Sequence, residues 1–163
     1  MSTQIISKLL SEIDVGILPR DVFYEIARLI PLSAVEIVPL RSNGESVEVL
    51  LLKRPHDDPH WPGLWHTPGS IVRAYDTKPD FKDAIERVLN DELLAVEVSK
   101  PVFVNPSLNQ SARGKEVGLI YWVEVKGNPT AGKFFDVTEL PTNRVPSQPF
   151  IQDAVATYIK SKP

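Results

Sequence analysis

Cysteine is absent from this sequence of 163 residues. A disulfide framework, a thiol nucleophile and a cysteine-ligated metal are therefore excluded. No apolar run approaches the ~20 residues that cross a bilayer, and the first residues have neither the basic start nor the continuous apolar segment of a signal peptide. We therefore expect a cytoplasmic protein that does not contact a membrane.

Charge of one sign is also scarce, because the net charge of −3 comes from intermixed acids and bases. Such mixing argues against a surface that coats nucleic acid, so we expect no nucleic-acid partner. The sequence also lacks a Walker-type glycine-rich loop, a G-x-S-x-G elbow and a Rossmann fingerprint. Because 42% of the residues are hydrophobic, the chain can bury a sizeable core, and we treat residues 1–163 as a single domain.

Two amphipathic helices are predicted near the N-terminus. Apolar residues recur at helical spacing from Gln4 to Ile13 and again from Val22 to Ile30, with Pro19 near the first turn of the second helix. We interpret residues 1–31 as a helical extension that packs on a core formed by residues 32–163. A homodimer interface is the alternative use of these apolar faces.

A β-hairpin is predicted next. Two runs rich in Val, Ile and Leu, at residues 34–40 and 47–53, flank the turn sequence S-N-G-E, whose Asn-Gly pair favours a tight hairpin. Glu36 is the polar exception in the first run. Pro39 cannot donate a backbone hydrogen bond, so it suggests an edge strand or a bulge.

The rest of the chain is predicted to form short strands and two helices. Asp80 is expected to cap the first of these helices, which carries an apolar stripe. Further strands are predicted at residues 64–67, 71–74, 101–104, 117–126 and 134–135, a polar loop at 105–115 and a last helix at 150–159. This order predicts an α/β fold in which helices sandwich a mixed sheet.

The stretch 61–98 has the pattern of a functional site. It reads as strand, glycine turn at Gly69, strand, loop and then a helix that carries Asp91 and Glu92 near its C-terminal end. Hard divalent cations prefer oxygen ligands and bridge to phosphate oxygens, so a glycine turn that faces carboxylates suits a cation and a phosphate. An amphipathic helix with a solvated acidic end is the alternative.

This stretch resembles the Nudix hydrolase family, whose box is G-x5-E-x7-R-E-U-x-E-E-x-G-U, where U is a bulky aliphatic residue. The segment A-I-E-R-V-L-N-D-E-L-L-A matches Arg87, Leu89, Asp91 and Glu92 onto this box. The resemblance implies a Nudix α/β/α sandwich that hydrolyses a nucleoside-diphosphate derivative with Mg²⁺ or Mn²⁺. It also implies that Glu92 and Asp91 bind the metal and that the box Arg orients them. A surface Arg87–Asp91 ion pair is the alternative.

The box departs from the family pattern at several positions. Val88 stands where the family usually has a metal-binding Glu, and Leu94 stands where it has Gly. The segment before the box Arg is four residues longer than the pattern, which puts Tyr75 at the nominal position of the first Glu. Asp76 and Asp80 are the candidates to replace that acid.

Three segments resemble the GDP-mannose mannosyl hydrolase branch of the family: L-P-R-D-V-F at 18–23, P-L-S-A-V-E-I-V at 31–38 and A-I-E-R-V-L-N-D-E-L-L at 84–94. That branch also lacks the Glu beside the box Arg, and it releases a sugar. The resemblance implies that the Glu92 side chain and the Gly69 carbonyl bind the metal. Arg54 and Glu36 become candidate substrate contacts. The branch uses a His in the loop before the last helix, where residues 142–150 contain none.

Aromatic and basic side chains complete the candidate site. His66 is the candidate general base, and a neutral, hydrogen-bonded imidazole is the alternative. Trp61 and Trp65 are candidates to stack on a base or sugar, or to pack as a lid. Arginines at positions 54, 73 and 113 could bind phosphate in a bidentate fashion or be solvated surface charges.

Two functions are therefore predicted. The first is a metal-dependent hydrolase whose partner is a small-molecule nucleotide, a nucleoside-diphosphate derivative with nucleotide sugars among the candidates. The second is a Nudix-like module that binds a nucleotide or a protein with weak or no catalysis. The departures at Val88 and Leu94 favour the second function, and the retained acids at Asp91 and Glu92 favour the first.

Overall fold

The structure, a computed structural model, describes residues 2–14, 16, 18–44, 46–94, 96–146 and 148–162. The α-helices in these ranges are α1 (Thr3–Ser11), α2 (Arg20–Leu29), α3 (Lys82–Glu92) and α4 (Phe150–Lys160), and a short 3-10 helix spans Pro79–Phe81. The strands are β1 (Leu32–Asn43), β2 (Ser46–Lys53), β3 (Trp65–His66), β4 (Gly69–Ile71), β5 (Glu97–Val98), β6 (Val102–Ser111), β7 (Gly114–Lys126) and β8 (Lys133–Asp136). None of the described helices combines the length and the apolar character that a membrane crossing requires.

Strand β1 lies at the centre of a mixed sheet. Its parallel partner is β7, and β2 and β4 pair with it antiparallel along its other edge. The sheet order is β3-β2-β1-β7-β5, with β8 paired to β2 and β6 paired to β7. The mixed α/β sheet predicted from the sequence is confirmed.

Helices cover both faces of this sheet. On one face Ile85 of α3 packs in a core with Ile37 of β1. On the other face Ile151 of α4 packs in a core with Leu40 of β1. Each buried side chain of this size contributes roughly 1.5–3 kcal/mol. The predicted sandwich of a sheet between helices is also confirmed.

The prediction that Pro39 marks an edge or a bulge is wrong, because Pro39 lies in the central strand. Along one edge of β1, pairing with β4 covers residues up to Glu36 and pairing with β2 starts at Leu40. Pro39 falls in the interval between these two partners. A residue without an N–H is tolerated there because the antiparallel ladder is interrupted.

The predicted polar loop at 105–115 is also wrong, because these residues form a hairpin. Strand β6 continues to Ser111 and β7 already starts at Gly114. Within the sheet β6 pairs only with β7 among the described strands, so it is an edge strand that can carry polar side chains and Pro106. Its polar composition therefore hid the strand.

Asp80 does not cap α3, which corrects another prediction. Asp80 and Phe81 both have positive φ angles, of 59° and 60°, and α3 starts one residue later without a side-chain cap at Phe81. The carboxylate of Asp83 instead accepts the backbone N–H groups of Thr77 and Lys78. The acid that closes this turn therefore lies inside the helix.

Helix α2 packs against the β6–β7 hairpin. At Gly114, with φ of 142°, an added Cβ would lie 2.1 Å from the carbonyl oxygen of Ala27, so only glycine allows this approach. Tyr24 of α2 also contacts His60, with ring centroids 5.0 Å apart. Helix α1 has no buried residue. The division into residues 1–31 and 32–163 stays a prediction.

Candidate active site

Gly69 brings two acidic side chains together. It pairs with Glu36 across β4 and β1, and a Cβ on Gly69 would lie 2.8 Å from Glu36 Oε2. Because glycine has no side chain, the Glu36 carboxylate can rest against the backbone of β4. Glu92, the last residue of α3, lies close enough to the backbone of the same glycine for it to act on the Glu92 pKa.

Burial raises the pKa of both carboxyl groups. The pKa of Glu36 rises from its usual 4.5 to about 8, mainly because the group is desolvated, and the charges of Glu116 and Glu92 add to the shift. The pKa of Glu92 rises to about 7, also through burial, although the Gly69 backbone and the Arg54 charge oppose the shift. Neighbouring acids with pKa values moved toward neutrality are typical of functional sites.

A chain of hydrogen bonds holds the Glu36 carboxylate in place. Thr67 Oγ1 donates to Glu36 Oε2 over 2.9 Å and accepts from Gln148 Nε2 over 2.8 Å. Gln148 Oε1 is buried and has no hydrogen-bond partner among the described residues. The segment before α4, where the resemblance called for a His, thus supplies an amide to this site.

The donor chemistry fits Mg²⁺ or Mn²⁺, which prefer oxygen ligands. The carboxylates of Glu36 and Glu92 and the backbone of Gly69 offer such ligands. Asp91 is exposed, and the described residues contain no group of three or more His, Cys, Asp or Glu side chains arranged for a metal. The protein ligands are too few for a closed cage, so waters and the phosphate oxygens of a substrate would complete the coordination.

The site opens into a cavity of about 150 Å³. Its wall includes Glu36, Gly69, His66, Arg54 and Gln148, and Glu92 is not part of this wall. Typical ligand pockets have volumes of roughly 300–1,000 Å³. The cavity therefore suits a group no larger than a diphosphate, and an attached nucleoside would lie outside it.

Asp58 fixes Arg54 and the loop that follows β2. Arg54 Nε and Nη2 both donate to Asp58 Oδ2, over 2.8 and 2.5 Å. Asp58 Oδ1 accepts the backbone N–H groups of His60 and Trp61. Burial acts to raise the pKa of Asp58, but the hydrogen bonds from Trp61 and Arg54 outweigh it and hold this pKa at about 2. Arg54 is therefore held in a defined orientation at the cavity wall.

The two tryptophans proposed as substrate contacts have different surroundings. Trp61 lines the cavity, and the Arg54 guanidinium carbon lies 5.5 Å from its ring centroid. Trp65 points into the core under α4, where its ring contacts Phe135 at 5.0 Å. Packing therefore accounts for Trp65, whereas Trp61 supports an arginine at the site.

His66 lies at the cavity wall as a hydrogen-bonded side chain. Its Nδ1 is 2.7 Å from the Thr67 carbonyl oxygen, so Nδ1 carries a proton and Nε2 is the free acceptor. Burial, helped by the Arg54 charge, lowers the pKa of His66 to about 4. The imidazole is therefore neutral at pH 7, and its role as a general base stays a prediction.

No protein-family model and no curated protein matches this chain. Solved structures do match it. The Nudix domain of NrtR from Shewanella oneidensis, complexed with ADP ribose, is 18% identical, with a TM-score of 0.57 over 97% of this chain and 99% of that one. A MutT Nudix hydrolase from Burkholderia pseudomallei is 17% identical, with a TM-score of 0.60 over 77% and 98% of the two chains. A possible asymmetric diadenosine tetraphosphate hydrolase from Jonesia denitrificans is 21% identical, with a TM-score of 0.57 over 78% and 91%.

The chain has the Nudix fold. At these identities the likeness extends to the fold alone, and the GDP-mannose mannosyl hydrolase branch stays a prediction. NrtR from Shewanella oneidensis has also been solved with a 27mer DNA; in that comparison the TM-score is 0.51 and this chain covers 62% of NrtR. The absence of a nucleic-acid partner therefore stays a prediction as well.

Arg87, which resembles the Arg of the Nudix box, joins two elements of the structure. Its Nη1 and Nη2 donate to the two oxygens of Asp76 over 2.7 and 3.1 Å, and Nη2 also donates to the Ile71 carbonyl. The hydrogen bonds from Arg87 lower the pKa of Asp76. Arg87 therefore joins α3 to the segment after β4, and no ion pair with Asp91 occurs among the described residues.

Val88, which stands where the Nudix box has a Glu, is part of the core. Val88 is 1% exposed and packs with Val35 and Ile37 of β1. One turn further along α3, Glu92 turns toward Gly69. Of the two helix positions that carry an acid in the family pattern, this chain has an acid at Glu92 and a buried apolar residue at Val88.

Four residues that complete the site carry no strong signal in the amino-acid sequence. Arg113 and Glu116 line the cavity from the hairpin that was predicted to be a loop. Thr67 and Gln148 are single polar residues in turn-like stretches, and only their contact with Glu36 distinguishes them. The sequence makes Arg113 a candidate phosphate contact, and the structure adds its place at the cavity wall.

Proposed function

We propose that this chain is a metal-dependent hydrolase of a nucleoside-diphosphate derivative, with nucleotide sugars among the candidate substrates. The observation that carries the proposal is the convergence of Glu36 and Glu92 on the backbone of Gly69. Two partly buried carboxylates repel each other and favour their protonated forms, unless a cation joins them. A divalent cation that arrives with a phosphorylated substrate would relieve that repulsion.

Mg²⁺ or Mn²⁺ would be held by the carboxylate of Glu92 and the carbonyl of Gly69, with Glu36 and Asp91 as the other acidic candidates. When bound, such an ion supplies a Lewis acid that polarises a phosphoryl oxygen. Asp91 is exposed, so it is the weaker of these two candidates.

The other side chains bind and orient the substrate in this proposal. Arg54, held by Asp58 and Trp61, offers hydrogen-bond donors to a phosphate. His66 offers Nε2 as a proton acceptor, although a pKa of about 4 makes it a weaker base than one poised near neutrality. Arg87 holds α3 against β4 and thereby positions Glu92.

Two neighbours suggest which substrates to test. The NrtR Nudix domain was solved with ADP ribose, and the Jonesia denitrificans protein is described as a possible diadenosine tetraphosphate hydrolase. Both compounds contain phosphates that link a nucleoside to another group. The cavity volume of about 150 Å³ fits the phosphates and leaves the linked groups outside.

A substrate panel tests the proposal. Nucleotide sugars, ADP ribose, dinucleoside polyphosphates and nucleoside triphosphates are incubated with the protein and Mg²⁺ or Mn²⁺, and products are identified by mass. We expect metal-dependent cleavage of at least one diphosphate-linked compound. A panel without any metal-dependent product would count against hydrolysis.

A catalytically weak or inert binding module is the second candidate function. It is favoured by Val88, which is buried where the family has a metal-binding Glu, and by the exposed Leu94 where the family has Gly. In that case a nucleotide would raise the melting temperature while no product forms, and Glu92→Gln would leave this shift unchanged. The cytoplasmic location and the homodimer stay predictions under either function.

A further inference from the structure

Arg113 occupies the tip of the β6–β7 hairpin and lines the cavity. Its Nε donates to Glu116 Oε1 over 2.9 Å, and its Nη2 lies 2.7 Å from the same oxygen. Glu116 is only 9% exposed, and Ser111 Oγ also donates to it over 3.1 Å. The guanidinium is therefore held in one orientation by a buried acid.

The backbone behind Arg113 is also fixed. Gly114, the next residue, lies so close to α2 that an added Cβ would be 2.1 Å from the Ala27 carbonyl oxygen. The backbone N–H of Arg113 donates to Ser111 Oγ over 3.1 Å. Both the start and the end of this side chain are thus positioned before any ligand arrives, which lowers the entropy lost on binding.

Arg54 presents a second guanidinium with the same type of support. Each arginine directs Nε and Nη2 to one oxygen of one acid, Asp58 for Arg54 and Glu116 for Arg113. Neither Nη1 donates a hydrogen bond to a described residue. Both guanidinium carbons lie close to the Trp61 ring, at 5.5 Å for Arg54 and 5.1 Å for Arg113. Such contacts with an aromatic ring stabilise the cations in place.

The two arginines share one cavity with the site. Arg54 and Arg113 both line the cavity that Glu36 and Gly69 also line. A diphosphate in the cavity would contact guanidinium donors from two directions, because Arg54 follows β2 and Arg113 lies at the tip of the β6–β7 hairpin.

We propose that Arg113 is a phosphate-binding residue, which together with Arg54 clamps the diphosphate group of the substrate. The proposal deepens the proposed function and rests on it for the identity of the substrate. It predicts that the site selects two linked phosphates over a single one. The nucleoside and the group linked to it by the diphosphate lie outside the cavity, so they contribute little to binding there.

Binding of inorganic pyrophosphate in the presence of Mg²⁺, measured by calorimetry, tests the clamp without turnover. Arg113→Gln should weaken pyrophosphate binding roughly 10- to 100-fold, because charge-assisted hydrogen bonds are lost. Arg113→Lys should recover only part of that loss, since an ammonium cannot form the planar fork. Arg41→Gln is the matched control, because Arg41 pairs with Glu48 outside the cavity, and it should bind pyrophosphate like the wild type.

Arg113→Gln leaves Glu116 buried without its cation, so the variant could unfold. The double variant Arg113→Gln/Glu116→Gln removes both charges, and circular dichroism checks that it is folded. If a folded variant binds pyrophosphate as tightly as the wild type, or if the wild type prefers phosphate to pyrophosphate, the clamp is overturned. If pyrophosphate binding depends on Arg113 while the substrate panel gives no product, the clamp stands and hydrolysis fails.

Discussion

Replacing Glu36 by Gln should make the protein more stable at pH 8, although it removes a residue of the proposed site. Glu36 has a pKa of about 8 in the folded protein, against its usual 4.5. Between these values the unfolded chain has released a proton that the folded protein still holds. The free energy of unfolding therefore falls as pH rises through this window, and the loss is complete above pH 8.

The size of the effect follows from the two pKa values. Relative to its value at low pH, the free energy of unfolding of the wild type falls by less than about 1 kcal/mol at pH 5 and by on the order of 4 kcal/mol at pH 8. Glutamine carries no proton that titrates, and its amide oxygen can still accept from Thr67. The stability gained by Glu36→Gln over the wild type should therefore grow by several kcal/mol from pH 5 to pH 8.

Urea unfolding in EDTA at pH 5, 6, 7 and 8 measures this gain. Glu97→Gln is the matched control, because Glu97 is exposed on β5, and a surface substitution of this kind should change the free energy of unfolding by less than about 0.5 kcal/mol. A difference between Glu36→Gln and the wild type that does not change with pH would refute the claim that burial keeps this carboxyl protonated. Mg²⁺ with a bound diphosphate should reduce the gain, because the cation favours the ionised carboxylate.

Two further substitutions separate contacts that serve the site from contacts that serve the fold. Gly69→Ala should lower turnover of a panel substrate more than 10-fold and move the melting temperature little, because the new methyl group displaces the end of a side chain, Glu36; a stable and fully active variant would contradict this. Asp58→Ala should lower the free energy of unfolding by about 2–4 kcal/mol in urea titrations, because Arg54 and two backbone N–H groups lose their acceptor. Its neighbour variant Asp57→Ala is the control, and equal stability of the two would argue against the role of Asp58.

The layers of the fold could be predicted because their signals are local. The apolar stripe of α3 and the β-branched runs of β1 and β7 show the period of the elements they form. The β6–β7 hairpin could not be predicted, since an edge strand with one solvated face has few apolar residues. Pro39 led to a wrong prediction for a related reason. The gap between the pairing of β1 with β4 and its pairing with β2 exists only in the assembled sheet.

The site was predictable in its parts and not in its assembly. Glu92 and Gly69 belong to a recognisable pattern, and Glu36 was notable as a polar residue within an apolar strand. Their meeting depends on how β4 pairs with β1 and where α3 ends, and no sequence spacing encodes that distance. Arg113 and Gln148 were harder still, because each reaches the cavity from a different end of the fold.

Turnover of the best panel substrate by the wild type and by Glu92→Gln, at saturating Mg²⁺, tests the central claim most directly. If Glu92 holds the catalytic cation beside Gly69, the rate should fall by at least about 100-fold, because the Lewis acid contributes several kcal/mol of transition-state stabilisation. Calorimetry under the same conditions should show that the variant still binds the nucleotide. A Glu92→Gln rate within about threefold of the wild type would contradict the proposed metal site.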